Sequence, residues 1–128
     1  MTEVSSAAMR ISFAKLGRLG EWRARWLYRV RGYRIVAQNL RIGGGEIDLV
    51  ARRGRTLVIA EVKTRQSLRA GEGLEAVDAR KQQQLVRLSE LLLARERTPM
   101  RVRYDVVSLH WTGLRFVVRF IPDAFRPA

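Results

Sequence analysis

The stretch Gly45–Arg65, GEIDLVARRGRTLVIAEVKTR, holds the residues best suited to chemistry. It divides into two strand-like runs, Glu46–Ala51 and Thr56–Thr64, joined by a turn at Arg53–Gly54. Strand side chains alternate, which is expected to put Glu46 and Asp48 on one face and Ile47 and Leu49 on the other. Glu61 and Lys63 likewise share a face. A hairpin turning near residue 54 or 55 sets Asp48 roughly opposite Glu61. Two carboxylates meeting in a mostly apolar strand pair repel each other unless a cation lies between them. Mg²⁺ or Mn²⁺ meets that need, because hard divalent ions take carboxylate and carbonyl oxygens. The carbonyl of Val62 is a further candidate ligand, and Lys63 would stand beside the ion. Such a set suits phosphodiester hydrolysis: a polarised phosphoryl oxygen, an activated water and an ammonium near the developing negative charge. The alternative is a surface Glu–Lys pair worth about 1 kcal/mol or less. Ile59-Ala60-Glu61-Val62 is too apolar a setting for that to be the better reading.

Elements on either side must position these groups. From about Phe13 to Gly32 a helical pattern carries a seam of mostly small residues: Gly17, Gly20, Glu21, Ala24, Leu27 and Tyr28. Arg18, Arg25, Arg29 and Trp22 fall on its other side, and Gly32 ends it. Tyr33–Leu40 is a strand, and Gly43–Gly45 turns it back. No Gly-Lys-Ser/Thr follows these glycines, which argues against a nucleotide-binding loop. A loop around Gly71–Gly73 leads to a helix that starts at Leu74 or Asp78 and ends near Arg97. Asp78 is its candidate internal N-cap. The stripe Val77, Lys81, Leu85, Leu88, Leu92 lays the stem of Lys81 over the sheet, in site contact or simply snorkelling to water. Val102–Leu109 and Leu114–Ile121 form a closing hairpin. The order αβββαββ predicts an α/β fold with a mixed central sheet flanked by helices.

Bulk properties narrow the function. The chain has 128 residues, the length of one domain; residues 1–12 are expected to be a flexible segment and 13–128 a single domain. The absence of cysteine excludes disulfides, thiolate-bound zinc and cysteine nucleophiles, and one histidine, His110, excludes a His-pair mechanism. No apolar run is long enough to cross a bilayer and no secretory signal is visible, so the cytoplasm is the expected location. Twenty-five basic residues against twelve acidic ones give a net charge of +13. Only three of the basic residues are lysine, and the rest are arginine, whose planar fork matches phosphate oxygens. Nucleic acid is therefore the expected partner, with no role for a membrane.

The chain resembles the YraN-like family of small bacterial endonuclease-like proteins, which are related to Holliday-junction resolvases and to the wider PD-(D/E)XK nuclease superfamily. The likeness covers about residues 16–125. It rests on Gly17–Glu21 with Ala24, Gly32-Tyr33, Asn39, Gly45–Leu49, Glu61–Arg65, Lys81-Gln82, Tyr104–Val107 and Ala124-Phe125. Ile47 stands where the superfamily has proline, and Ala60 is smaller than the usual residue there. The resemblance implies a restriction-endonuclease-like sheet, metal ligation by Asp48 and Glu61, and Lys63 as the catalytic lysine. It also implies that Glu21 is the acid that resolvase-like members bring from the first helix; a solvated helix glutamate is the alternative. Glu46 would reach the metal through water or only orient the turn. Asp105 is expected to be structural.

Arg52, Arg53, Arg55 and Arg65 flank the carboxylate strands, and with Arg18, Arg25 and Arg29 they are the expected phosphate contacts. Such contacts carry little sequence information, which favours action on branched, flapped or single-stranded DNA over a specific recognition site. DNA is preferred to structured RNA as the partner, and resolvase relatives make a homodimer one expectation. Two competitors remain: a non-catalytic nucleic-acid-binding module on the same fold, and an interaction protein anchored by Trp22 and Trp111. Ordinary packing is the preferred role for both tryptophans.

Overall fold

The computed structural model describes residues 12–66 and 77–127. The segment before residue 12, the Gly71–Gly73 loop and a helix start at Leu74 lie outside them. Among the described residues the elements run α1 (Phe13–Arg29), β1 (Arg34–Ile42), β2 (Gly45–Arg53), β3 (Thr56–Arg65), α2 (Ala79–Leu93), β4 (Arg101–Trp111) and β5 (Phe116–Phe125). This is the predicted αβββαββ order. The strands form one mixed sheet in the order β1-β2-β3-β4-β5. Every neighbouring pair is antiparallel except β3–β4, whose parallel pairing needs the crossover that α2 supplies.

The helices cover opposite faces. Val58 and Ala60 of β3 pack with Ala24, Leu27 and Tyr28 of α1. Leu57 and Ile59 point the other way and pack with Leu85 and Leu88 of α2. The strand is thus buried on both faces, as the run Leu57–Ala60 predicts. α1 starts at Ser12, whose hydroxyl accepts the Lys15 N–H at 3.2 Å. Its seam differs from the expected one at one position: Leu16 is buried there, while Gly17 faces open space. Gly20 is where helix and sheet come closest, since a Cβ there would overlap Thr64 of β3. α2 starts at the predicted cap, with Asp78 accepting the Lys81 N–H at 2.9 Å. It ends at Leu93 rather than near Arg97, because Arg95 and Glu96 bond three residues back and close a tight turn. Neither helix is long and apolar enough to cross a membrane.

β5 runs past the expected end at Ile121 to Phe125. Pro122 is tolerated because β5 is an edge strand. The register with β4 shifts between Tyr104 and Val106, and Asp123 sits there at φ 53°. Its N–H is held by Asp105 Oδ1 at 2.9 Å. Asp105 is buried, and it also accepts from the Tyr28 hydroxyl at 2.7 Å and from two Arg103 nitrogens at 2.8 and 2.7 Å. Burial, and then the Asp105 charge, push the Tyr28 hydroxyl far above its usual titration range. These bonds tie α1, β4 and β5 together on the face away from α2, in keeping with the structural role expected of Asp105.

Candidate active site

The β2–β3 hairpin sets the geometry of the site. Arg53 pairs with Thr56 across a two-residue turn, with Gly54 at φ 59°. From there the register runs without slippage to the Leu49–Ala60 pair, and the next residues on the two strands are Asp48 and Glu61, near enough for the Glu61 charge to act on Asp48. The main-chain ladder ends at that point, and the Val62 N–H, still needing an acceptor, donates to Asp48 Oδ2 at 2.9 Å. A strand residue's N–H and C=O leave on the same side, so the Val62 carbonyl also points toward Asp48's strand.

Glu61 is 2% exposed in this apolar setting. Lys63 Nζ lies 3.2 Å from its Oε1. Lys81 Nζ reaches across from α2 to 3.9 Å from Oε2, close enough for charge attraction but beyond hydrogen-bond reach. Oε2 is therefore buried without a hydrogen-bond partner. Lys81 thus reaches one of the two carboxylates, Glu61, while its side chain stays partly exposed. Asp48 is pushed up from 3.8 to about 6, first by burial and then by the Glu61 charge, against the opposing Val62 N–H and both lysines. The cluster thus resists a second full negative charge. A buried carboxylate oxygen without a hydrogen-bond partner, a second carboxylate and a carbonyl directed toward β2 form an oxygen donor set that fits a hard divalent cation keeping several waters.

The predicted alternation fails at one place in β2. Ile47 lies in the α2-side core and Leu49 in the α1-side core, so these two residues do not share a face. Opposite Asp48 on β1, between the Gln38–Leu49 and Leu40–Ile47 pairs, is Asn39 at φ 50°. A left-handed residue kinks the strand, and asparagine tolerates that conformation better than most. Glu46 consequently need not follow Asp48; it pairs with Arg41, next to the Gly43–Gly44 turn.

Glu21 accepts from the Asn39 side chain at 3.3 Å. It is linked to the residue facing Asp48, but among the described residues no three acidic, histidine or cysteine side chains converge as a metal-binding group. Arg65 lies at the Lys63 end of β3. Arg52, Arg53 and Arg55 stand at the hairpin end, roughly 13 Å or more along the strand from Asp48. Arg52 pairs there with Glu96 at 3.6 Å, and Arg53 donates to the Arg31 carbonyl at 2.7 Å while covering the Tyr33 ring. Arg25 bonds the Gln38 side chain, whereas Arg18 and Arg29 are exposed on α1. Ser108, which pairs with Lys63 in register and is 8% exposed, escaped sequence reasoning. Its one signal is a hydroxyl interrupting the apolar run Val106–Leu109.

A profile of the uncharacterised protein family UPF0102 matches residues 20–109, a span that includes Glu21, Asp48, Glu61, Lys63 and Lys81. The chain is 47% identical over 113 residues to a UPF0102 protein of Symbiobacterium thermophilum, covering 87% of this chain and 96% of that protein. It is 40% identical over 111 residues to a UPF0102 protein of Syntrophotalea carbinolica, covering 86% and 90%. With a UPF0102 protein of Geobacter metallireducens the identity is 38% over 121 residues, covering 94% and 99%.

Proposed function

The chain belongs to the uncharacterised protein family UPF0102, and from that footing we propose that it is a Mg²⁺- or Mn²⁺-dependent DNA endonuclease with a restriction-endonuclease-like fold. Its substrates on this reading are branched, flapped or single-stranded DNA in the cytoplasm. The observation that carries the proposal is Asp48 and Glu61 coming together where the ladder opens, with Glu61 Oε2 buried without a hydrogen-bond partner and Lys63 at 3.2 Å from the other oxygen. Asp48, Glu61 and the Val62 carbonyl would hold the ion. When bound, it would supply Lewis-acid polarisation of a phosphoryl oxygen. The Val62 N–H holds Asp48 through Oδ2, so its rotamer is tied to the β3 main chain. Lys63 would orient the attacking water and balance the negative charge that develops on the oxygens around the five-coordinate phosphorus. Lys81 holds Glu61 from the opposite layer, which makes it a positioning residue.

A purely binding role has one observation in its favour: Lys63 and Lys81 already neutralise part of the Glu61 charge. Cleavage assays on branched, flapped, single-stranded and duplex DNA, with Mg²⁺, Mn²⁺ or chelator, separate the two readings. Metal-dependent cleavage is expected, lost in Asp48→Asn and Lys63→Ala while DNA binding persists. Binding without cleavage under either metal would leave the binding role; cleavage that survives both substitutions would remove this site from the reaction.

A further inference from the structure

α1 presents a second chemical surface on the side turned away from the sheet. At about 100° per residue, Lys15, Trp22 and Trp26 fall on one line along the helix. Arg18, Arg25 and Arg29 form a row along one flank, and Leu19 and Val30 lie along the other. Trp22 and Trp26 are 50% and 44% exposed, and their rings meet edge to face at 6.2 Å. Trp22 thus packs against Trp26 and stays half in water, short of the ordinary packing preferred for it; Trp111, by contrast, is half-buried against Phe116. Two neighbouring tryptophans held half in water are costly for a single chain and mark a contact surface.

The charges on this surface identify the partner. α1 has one acidic residue, Glu21, and it bonds Asn39 away from the tryptophan line. Arg18 and Arg29 make no ion pair among the described residues. An arginine row without counter-charge beside two aromatic faces matches an unpaired nucleic-acid strand: bases stack on rings of any register, and phosphates lie along the guanidinium groups. A protein or lipid surface could use the tryptophans, but not a row of three cations unless it were itself strongly anionic. Between Trp22 and Lys15, Arg18 and Leu19 lies an open hollow of about 410 Å³ that a base stacked on Trp22 would enter. α1 crosses the sheet with Gly20 on Thr64, the residue after Lys63. Thr64 faces α1 whereas Glu61 and Lys63 face Lys81 of α2, so the platform and the carboxylates lie on opposite faces of the sheet, and a strand reaching both would pass around its edge.

We infer that the outer face of α1, centred on Trp22 and Trp26 and edged by Arg18, Arg25 and Arg29, is a stacking platform for single-stranded nucleic acid. The inference rests on the nucleic-acid reading above and adds the substrate class that the site would receive. It is tested in chelator, where no hydrolysis occurs, by titrating the protein with a labelled oligothymidylate of roughly 16 nucleotides and following anisotropy and tryptophan fluorescence. Quenching is expected, and Trp22→Ala/Trp26→Ala is expected to weaken binding roughly tenfold or more. Trp22→Phe/Trp26→Phe should recover most of it, and circular dichroism should be unchanged in both variants. Oligothymidylate affinity unaltered in the alanine pair overturns the platform. So does a pair whose only loss is self-association in sedimentation or binding to anionic vesicles. Tryptophan-dependent binding without cleavage in Mg²⁺ or Mn²⁺ fails the hydrolytic reading alone; cleavage with tryptophan-independent binding fails the platform alone.

Discussion

A carboxylate buried in an apolar strand is tolerable when neighbouring groups share its charge, and Glu61 meets that condition with two lysines from two different layers. Asp48 has less help. Because it is raised to about 6 from 3.8, the folded metal-free protein retains a proton that the unfolded chain releases between those values. This group's contribution to stability is therefore intact below about pH 4 and declines as the pH rises through 6, by at most about 3 kcal/mol. Urea unfolding in chelator should show Asp48→Asn gaining on the parent at about pH 8 but not at about pH 4; a constant difference would remove the coupling. Asp105 has a different setting, since four hydrogen bonds from three elements converge on its carboxylate. Asp105→Ala strands the Arg103 guanidinium and is expected to cost about 3–5 kcal/mol in the same unfolding assay. Asp48, Glu61 and Lys63 were legible at this scale because period-two alternation and a short turn are local rules. Asn39 stood out only through the family resemblance, and its kink was not legible, because a left-handed residue inside a strand leaves no periodic signal.

At the scale of elements, the site depends on how closely two helices approach one strand. Gly20 and Gly17 look equivalent in sequence, three residues apart in the same helix. Alanine favours a helix interior over glycine by about 1 kcal/mol. Gly17→Ala meets open space and should therefore stabilise by about that much. Gly20→Ala drives a methyl group into Thr64, whose Cβ would lie 3.2 Å away, and should destabilise by about 1–3 kcal/mol. Thermal unfolding of the two single variants checks the contrast, and equal shifts of one sign would contradict the tight crossing. α2 contributes through its rotation about its own axis: the stripe that buries Leu85 and Leu88 delivers Lys81 to Glu61. The sequence shows that stripe, yet the distance from a helix stripe to a strand residue depends on packing across the layer.

For the molecule as a whole, the net charge of +13 predicts strong salt dependence for any polyanion bound. The affinity for duplex DNA should fall with a log–log salt slope of about −0.9 per phosphate contacted, and a slope near zero would separate the charge from DNA binding. The fold divides the seven arginines expected to contact phosphates: one row lies on α1, one group at the β2–β3 hairpin end, and Arg65 at the Lys63 end. Sequence alone determined the order of elements, a mixed sheet flanked by helices, the approach of Asp48 to Glu61 and the overall charge. Each of these follows from local period, turn length or composition. Tertiary structure decided that Lys81 reaches Glu61, that Glu21 stops at Asn39, that three arginines stand far from the carboxylates and that Trp22 and Trp26 remain in solvent. Those outcomes depend on how helices rotate and settle on a twisted sheet, and close packing between distant segments sets that rather than any pattern within one segment.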